Sequence, residues 1–250
     1  MSDVMSNVAM LAAPSNRSRI YLDVLERNDL LPETAICLVD SMTETAEQRR
    51  RQSEDASDDD SNDDAVLPED PDLETNRSVR ERFDDAGVPY QTVETLNPND
   101  DAVVAAVGEL DQDLLVYSGP GGVILDGDVL TVGPEFLHVH AGILPDYRGS
   151  TTVYYSLLAD GQCGATAFIM NEQIDQGPVV GQQVYPPPEN PETLDLYYDP
   201  WIRSRLLVDV LSQYEETGEL DRRPQRTDEG ETYFIVHPVL KHLTMLRVKE

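Results

Sequence analysis

Lysine is nearly absent from this chain of 250 residues. Lys241 and Lys249 are its only lysines, and the 18 lysine and arginine residues stand against 48 acidic residues, which gives a formal net charge of −30. A charge of this size is self-repulsive in dilute buffer, but at ~1 M salt the Debye length falls to roughly 3 Å and screens the repulsion. The composition therefore favours a protein adapted to concentrated salt, with an acidic surface for a basic partner as the alternative.

Basic stripes with interleaved aromatic residues, which are typical of nucleic-acid-binding surfaces, are also missing. Nucleic acid is therefore not favoured as a partner. The sequence has no apolar run long enough to cross a membrane, so we expect no membrane span. Residues 1–7 lack the basic start and the apolar core of a signal peptide, which favours a cytoplasmic protein.

Cysteine is scarce as well. Cys37 and Cys163 lie far apart in the sequence and form no CxxC pattern. This spacing favours two buried free thiols, with a disulfide or a metal-binding pair as the minority alternative.

Apolar periodicity predicts alternating strands and helices. A strand at 8–13, an amphipathic helix at 17–28 and a strand at 34–39 form a βαβ unit, which implies a parallel sheet. Further strands are predicted at 89–93, 113–117, 136–140, 165–170 and 179–184, and further helices at 78–86, 100–109, 154–158 and 193–216, with a short helix or turn at 123–130. We therefore predict an α/β protein with an open, mainly parallel Rossmann-like sheet flanked by helices, followed by a short helical C-terminal extension.

The predicted α/β domain covers residues 1–185, and the helical extension and tail cover 186–250. Residues 44–76 interrupt the domain with a different composition: between 44 and 74 there are 13 acidic residues and 3 arginines, a net charge of 3 − 13 = −10. Apolar residues are too few there to offset the entropy lost on ordering the chain. We predict an acidic, disordered insertion.

His138 and His140 stand two residues apart on a predicted strand. Side chains alternate along a strand, so both imidazoles project from the same face of the sheet. Their strand ends directly afterwards, and open α/β sheets bind ligands at the carboxyl ends of their strands. The pair therefore marks a candidate site, although a purely structural pair, or a zinc site completed by Asp175, remains an alternative.

The run LHVHAGILPDYRG from Leu137 to Gly149 resembles the signature of the formyltransferase family. That family includes methionyl-tRNA, phosphoribosylglycinamide and sugar N-formyltransferases, and its pattern is Asn-x-His-x-Ser-x-Leu-Pro-x-x-Arg-Gly. The residues that match it are His140, Leu144, Pro145, Arg148 and Gly149. Downstream, residues 164–177 are similar to the family stretch Gly-x-Thr-x-x-x-Met…Asp-x-Gly, which aligns Asp175 with the catalytic aspartate. The likeness extends over most of residues 8–235 and includes a segment from Gln225 to Phe234.

The resemblance implies formyl transfer from the co-substrate 10-formyltetrahydrofolate to an amine. His140 would stabilise the oxyanion and move protons, and Asp175 would orient His140. The implied folate contacts are Ser118, Gly119, Gly121, Gly122, Val123, Leu125 and Ile174. Tyr147 and Arg148 are the candidate acceptor contacts, and no metal is implied. We favour an amino sugar or a nucleotide-linked amino sugar as the acceptor, with glycinamide ribonucleotide second. The last helix and tail are candidates for a homodimer contact.

The sequence departs from the family pattern at two positions: His138 replaces the asparagine and Gly142 replaces the serine. The family asparagine donates a hydrogen bond to the oxyanion, and losing one such donor costs ~10²–10³ in rate. A histidine N–H can also donate, so we expect His138 to take the role of the missing amide. Two alternatives stay open: a non-catalytic relative that binds a folate or a protein partner, and a hydrolase that releases formate from the folate.

Overall fold

The computed structural model describes residues 4–40, 77–226 and 228–248, so the predicted acidic insertion at 44–76 lies outside the described residues. In these ranges the strands are β1 (Val4–Ala12), β2 (Leu31–Leu38), β3 (Tyr90–Val93), β4 (Leu114–Ser118), β5 (Glu135–His140), β6 (Tyr147–Gly149), β7 (Cys163–Ile169), β8 (Val179–Tyr185) and β9 (Glu231–Tyr233). The α-helices are α1 (Asn16–Arg27), α2 (Val79–Ala86), α3 (Asp101–Gly108), α4 (Gly127–Thr131), α5 (Thr152–Asp160), α6 (Asp199–Thr217) and α7 (Pro238–Val248).

Seven strands form one sheet in the order β3-β2-β1-β4-β5-β7-β8 within the described residues. Strands β1 to β5 pair in parallel, whereas β7 and β8 add an antiparallel edge. The predicted α/β class with an open, mainly parallel sheet is therefore confirmed. This topology brings the carboxyl ends of β1, β4 and β5 to the same edge, where open α/β sheets bind their ligands.

Both faces of the sheet are covered by helices. One apolar cluster joins the sheet to α1, α2 and α6, and a second joins the opposite face to α3 and α4. Helix α6 begins at Asp199 rather than at residue 193, because a short 3-10 turn and one π-helical turn precede it. Leu207 and Leu211 of this helix are fully buried against the sheet, so the longest helix is part of the main core.

Local signals in the sequence account for several helix ends. Ser78 and Glu81 form a reciprocal capping box at the start of α2, and Gly87 ends that helix in the left-handed conformation with a φ of 69°. Ser15 accepts the Ser18 N–H at the start of α1, as N-cap serines commonly do.

A second, small sheet was not predicted. β6 and β9 pair in parallel, which brings the C-terminal segment onto the loop that follows β5. Gly149 permits this pairing because its φ is 99° and a Cβ atom there would lie 2.1 Å from the carbonyl oxygen of Tyr233. The pairing places β9 beside the segment that follows β5, the strand of His138 and His140.

None of the helices in the described ranges is both long and apolar enough to cross a membrane.

In residues 4–40, 77–226 and 228–248, acidic side chains lie almost entirely at the surface. Asp23 is the only acidic residue in the described ranges that is buried, and it is ion-paired with Arg82 of α2 and Arg27 of its own helix. A buried pair of this kind is screened little by salt, whereas exposed charges farther apart than the Debye length are screened strongly. The free energy of unfolding should therefore depend on the ionic strength.

Thermal stability should rise with salt. Between ~0.1 M and ~1 M KCl the Debye length falls from about 10 Å to roughly 3 Å, so mutual repulsion of the surface carboxylates should weaken. We expect the unfolding midpoint to increase by roughly 4 °C or more, which for a chain of this size corresponds to ~1–2 kcal/mol. Circular dichroism would follow the transition, and sucrose at matched osmolality controls for solute exclusion. A midpoint that does not move with KCl would contradict salt adaptation.

Candidate active site

His140 ends β5 and is only 5% exposed. Its Nε2 atom lies 2.6 Å from the main-chain oxygen of Tyr147, and its Nδ1 atom lies 3.5 Å from the Oδ2 atom of Asp175. The hydroxyl of Thr152 lies 3.2 Å from Nε2. A carbonyl and a carboxylate can only accept hydrogen bonds, so the two ring nitrogens both face acceptors.

Asp175 is held from both its side chain and its main chain. Its Oδ2 atom accepts the N–H of Gly149 at 2.7 Å, and its own backbone is left-handed with a φ of 52°. The side-chain amide of Gln225 donates to the carbonyl oxygens of Asp175 at 2.9 Å and of Gly177 at 2.7 Å. Gly177 is required for this turn because a Cβ atom there would lie 1.7 Å from the carbonyl oxygen of Ile169. The turn thereby aims the carboxylate at His140.

His138 projects from the same face of β5 but is half-buried rather than buried. Its Nδ1 atom lies 3.3 Å from the main-chain oxygen of Tyr117. The aromatic rings of Tyr117 and Phe168 meet its ring edge-on, at centroid distances of 5.6 and 5.8 Å. The structure thus places His138 and His140 at the carboxyl edge of the sheet, with Asp175 beside His140. Their catalytic roles stay a prediction.

Two arginines, both missed by sequence reasoning, hold the backbone around His138. Arg203 is buried, donates from Nε to the carbonyl oxygen of Val139 at 2.8 Å and pairs with Asp199 at 3.0 Å. Arg17 donates to the carbonyl oxygen of Gly119, and burial lowers the pKa of its guanidinium to about 10. The two residues lie on different helices, α1 and α6, and no spacing in the sequence connects them with the histidines.

Burial also lowers the pKa of His138 well below 6.5. The positive charges of Arg203, Arg17 and His140 act in the same direction, while the hydrogen bond to the Tyr117 carbonyl opposes them. His138 is therefore neutral at and above neutral pH.

The residues expected to contact the folate divide into two groups. Ser118, Gly119 and Leu125 are buried, whereas Gly121, Gly122, Val123 and Ile174 are exposed. The Ser118 hydroxyl lies 2.8 Å from that of Ser18, so it is already paired inside the protein. Leu125 packs in the core beside α3 and α4, a site from which it supports the loop rather than lining its surface. Folate contact stays a prediction for all seven residues.

Tyr147 and Arg148 lie inside the fold. The hydroxyl of Tyr147 donates to Asp160 at 2.5 Å, and its ring stacks on Tyr233. Arg148 is 3% exposed, and its two terminal nitrogens are engaged by the C-terminal loop. Their acceptors are the carbonyl oxygens of Arg226 and Glu229 and the side-chain oxygen of Gln225. An acceptor contact stays a prediction for both, but this geometry assigns their polar groups to the protein itself.

The described residues contain no group of three or more histidine, cysteine or acidic side chains that could hold a metal ion. Cys37 and Cys163 are both buried, as predicted, and the two do not form a disulfide with each other.

A cavity of about 570 Å³ lies at the opposite edge of the sheet. The starts of β4 and β5 line it, together with Tyr214 and the exposed ion pair of Arg222 with Glu135. Open α/β sheets bind ligands at the carboxyl ends of their strands. We therefore place the candidate site at the carboxyl edge where His138 and His140 end β5, which we call the histidine edge.

Comparison with known proteins shows the family to which the chain is similar. A model of the formyl transferase family matches residues 8–198. The methionyl-tRNA formyltransferase of Roseiflexus castenholzii is 34% identical over 142 residues, which are 56% of this chain and 44% of that protein. The chain thus spans less than half the length of this curated relative.

Two solved structures share the fold over 98% of this chain. One is a sugar N-formyltransferase from a Shewanella species, with a TM-score of 0.55, 13% identity and 88% of its own chain covered. The other is an N-formyltransferase from Helicobacter canadensis in complex with folinic acid and dTDP-3-aminofucose, with a TM-score of 0.60, 14% identity and 81% covered.

Replacing Arg148 with methionine should destabilise the fold, because the acceptors of residues 225–229 would lose their buried donor. We expect a loss of ~1–3 kcal/mol in the free energy of unfolding, measured by denaturant titration. Arg226→Met is the matched control: its side chain is 68% exposed, so its effect should stay within ~0.5 kcal/mol. Equal effects of the two substitutions would contradict the structural role of Arg148.

The depressed pKa of His138 predicts a pH-dependent contribution to stability. The unfolded chain takes up a proton on this residue below about pH 6.5, while the folded chain does not until a lower pH. The contribution of His138 to the free energy of unfolding is therefore fully present above about pH 6.5. It is lost as the pH falls from there towards the lower pKa of the folded state. Between about pH 6.5 and 5.5, the free energy of unfolding of the wild-type protein should fall by about 1 kcal/mol more than that of His138→Asn, measured by urea unfolding. Parallel stability curves would show that His138 titrates normally in the fold.

Proposed function

Because the chain belongs to the formyl transferase family, we propose that it transfers a formyl group from 10-formyltetrahydrofolate to an amine acceptor. The observation that carries this proposal is the pairing of His140 with Asp175 at the carboxyl edge of the sheet. Both residues stand at the motif positions to which the family assigns catalysis, and the fold brings their side chains together although 35 residues (175 − 140) separate them.

The chemistry requires charge to be stabilised at one oxygen and protons to be moved between two nitrogens. When the amine attacks the formyl carbon, negative charge develops on the formyl oxygen, and the Nε2–H of His140, released from the Tyr147 carbonyl, would donate a hydrogen bond to it. Asp175 orients the imidazole through Nδ1, and the Gly149 N–H fixes the carboxylate in turn. The exposed loop around Gly121 and Gly122 offers backbone groups for the pterin of the donor.

We propose an amino sugar, free or nucleotide-linked, as the acceptor. Support comes from the two solved N-formyltransferases, which share the fold over nearly the whole chain. The sequence relatives act on methionyl-tRNA by name, but a net charge of −30 disfavours a polyanionic acceptor, and concentrated salt would weaken its binding further. Glycinamide ribonucleotide is the second small-molecule candidate.

The test is a formyl-transfer assay in concentrated KCl. The protein is incubated with 10-formyltetrahydrofolate and, in separate reactions, with amino-sugar nucleotides, glycinamide ribonucleotide and methionyl-tRNA. Tetrahydrofolate that appears only with an acceptor supports the transferase and identifies the acceptor class. Donor binding without turnover on any acceptor would support the non-catalytic relative, and formate release without an acceptor would support the hydrolase.

Removing either member of the pair should lower turnover. We expect His140→Asn and Asp175→Asn each to reduce kcat by ~10²–10⁴. In the double variant, kcat should fall by a factor much smaller than the product of the two single-variant factors, because the effects of residues that act as a unit are not additive. Single-turnover kinetics with saturating donor would measure this.

Arg222→Gln is the matched control for these variants. It removes an exposed ion pair at the opposite edge of the sheet, so kcat should not change. Wild-type turnover in His140→Asn or Asp175→Asn would overturn the assignment of the pair.

A further inference from the structure

The two histidines of β5 have four ring nitrogens, and three of them face acceptors within the protein. These are Nε2 of His140 against the Tyr147 carbonyl, Nδ1 of His140 against Asp175, and Nδ1 of His138 against the Tyr117 carbonyl. The fourth, Nε2 of His138, has no hydrogen-bond partner in the part of the chain that the structure describes. His138 is also the less buried of the two residues.

The position of the His138 ring follows from the packing of the strands. Val116 of β4 is in register with Leu137 of β5, which sets Tyr117 beside His138. On the other side, Phe168 of β7 is directly opposite His138. The two aromatic edges leave little freedom to the ring, and Arg203 fixes the following peptide through the Val139 carbonyl.

The hydrogen bond to Tyr117 decides the tautomer. A carbonyl oxygen only accepts, so Nδ1 of His138 must carry the proton. A neutral imidazole has a single ring proton, and Nε2 therefore keeps its lone pair. Burial and the nearby guanidinium groups of Arg17 and Arg203 hold the ring neutral, because they lower its pKa.

We infer that His138 presents a proton acceptor to the attacking amine, rather than a hydrogen-bond donor to the formyl oxygen. This inference rests on the proposed transferase function and reverses the role that the sequence alone suggests for His138. The asparagine of the family pattern donates from its amide, whereas the free nitrogen of His138 can only accept. The substitution therefore changes the polarity of the site at this position.

The transfer balances with His138 in this role. The amine nitrogen forms a bond to the formyl carbon and gives one proton to Nε2 of His138. The bond between the formyl carbon and the folate nitrogen then breaks, and Nε2 of His138 passes the same proton to that nitrogen. The products are the formamide and tetrahydrofolate, and His138 returns to its neutral starting state. A neutral, weakly basic imidazole suits this step, because an amine becomes acidic once it has attacked a carbonyl carbon.

The first experiment reads the tautomer directly and requires no turnover. The intact chain is labelled with ¹⁵N-histidine, and long-range ¹H–¹⁵N correlation spectra are recorded near neutral pH in KCl. The chain has 4 histidines, so loss of one signal set in His138→Asn and another in His140→Asn assigns both rings. We expect His138 to have a protonated Nδ1 and an unprotonated Nε2. A proton on Nε2, or a doubly protonated ring, would overturn the inference.

The second experiment compares His138→Asn with the wild-type protein in formyl transfer. Asparagine restores the family donor but cannot take up a proton, so we expect kcat to fall by ~10² or more. His242→Asn, at an exposed position on α7, is the control and should leave kcat unchanged. Turnover of His138→Asn equal to or above that of the wild-type protein would contradict a proton-accepting role.

The two experiments separate this inference from the proposed function. If the wild-type protein transfers formyl groups but His138 carries its proton on Nε2, the inference fails and the transferase stands. If no acceptor is formylated and His138 has the expected tautomer, the transferase fails, and the polarity of the site is still established by the spectra.

Discussion

Asp175 joins three segments that are distant in the sequence, and the rest of the site depends on how it does so. Its carboxylate accepts the Gly149 N–H and faces His140, while its own carbonyl accepts the amide of Gln225. Arg148 completes the arrangement by donating to the side chain of Gln225. The loop after β5, the turn after β7 and the C-terminal segment thus meet at Asp175. Displacing any of them would move the group that orients His140.

Charge is distributed in opposite ways inside and outside this protein. The surface carries the acidic excess, whereas Arg203 is buried and Arg17 lies with its guanidinium against the loop that follows β4. In concentrated salt the long-range field of the surface is screened within a few ångströms, but partly buried charges keep their effect. The positive charges around His138 therefore set the local chemistry largely independently of the net charge of −30. They also suit the substrates proposed here, since folates and nucleotide-linked sugars are anionic.

Much of the fold could be predicted because apolar runs and helix ends are local signals. The strand of His138 and His140 shows this well, since strand periodicity alone placed both imidazoles on one face. The pairing of β6 with β9 could not be predicted, because each strand has three residues and their partners are about eighty positions apart.

Whether His138 donates or accepts a hydrogen bond in the site could not be predicted from the sequence, for a similar reason. It depends on one carbonyl oxygen, that of Tyr117, which comes from the neighbouring strand. Strand spacing placed His138 and His140 on one face and the family resemblance pointed to Asp175, while the direction of each hydrogen bond followed only from the packed structure. The roles of Gln225 and Arg203 likewise appear only when the backbone carbonyls that they bind are known.

The central claim is that the folate binds at the histidine edge of the sheet. Hydrogen–deuterium exchange with and without folinic acid, followed by mass spectrometry, tests this most directly because it reports where the ligand slows exchange. Folate bound at this edge should protect residues 117–125 and 138–149 from exchange. Protection confined to residues 112–114 and 133–135, which line the cavity at the opposite edge, would contradict it.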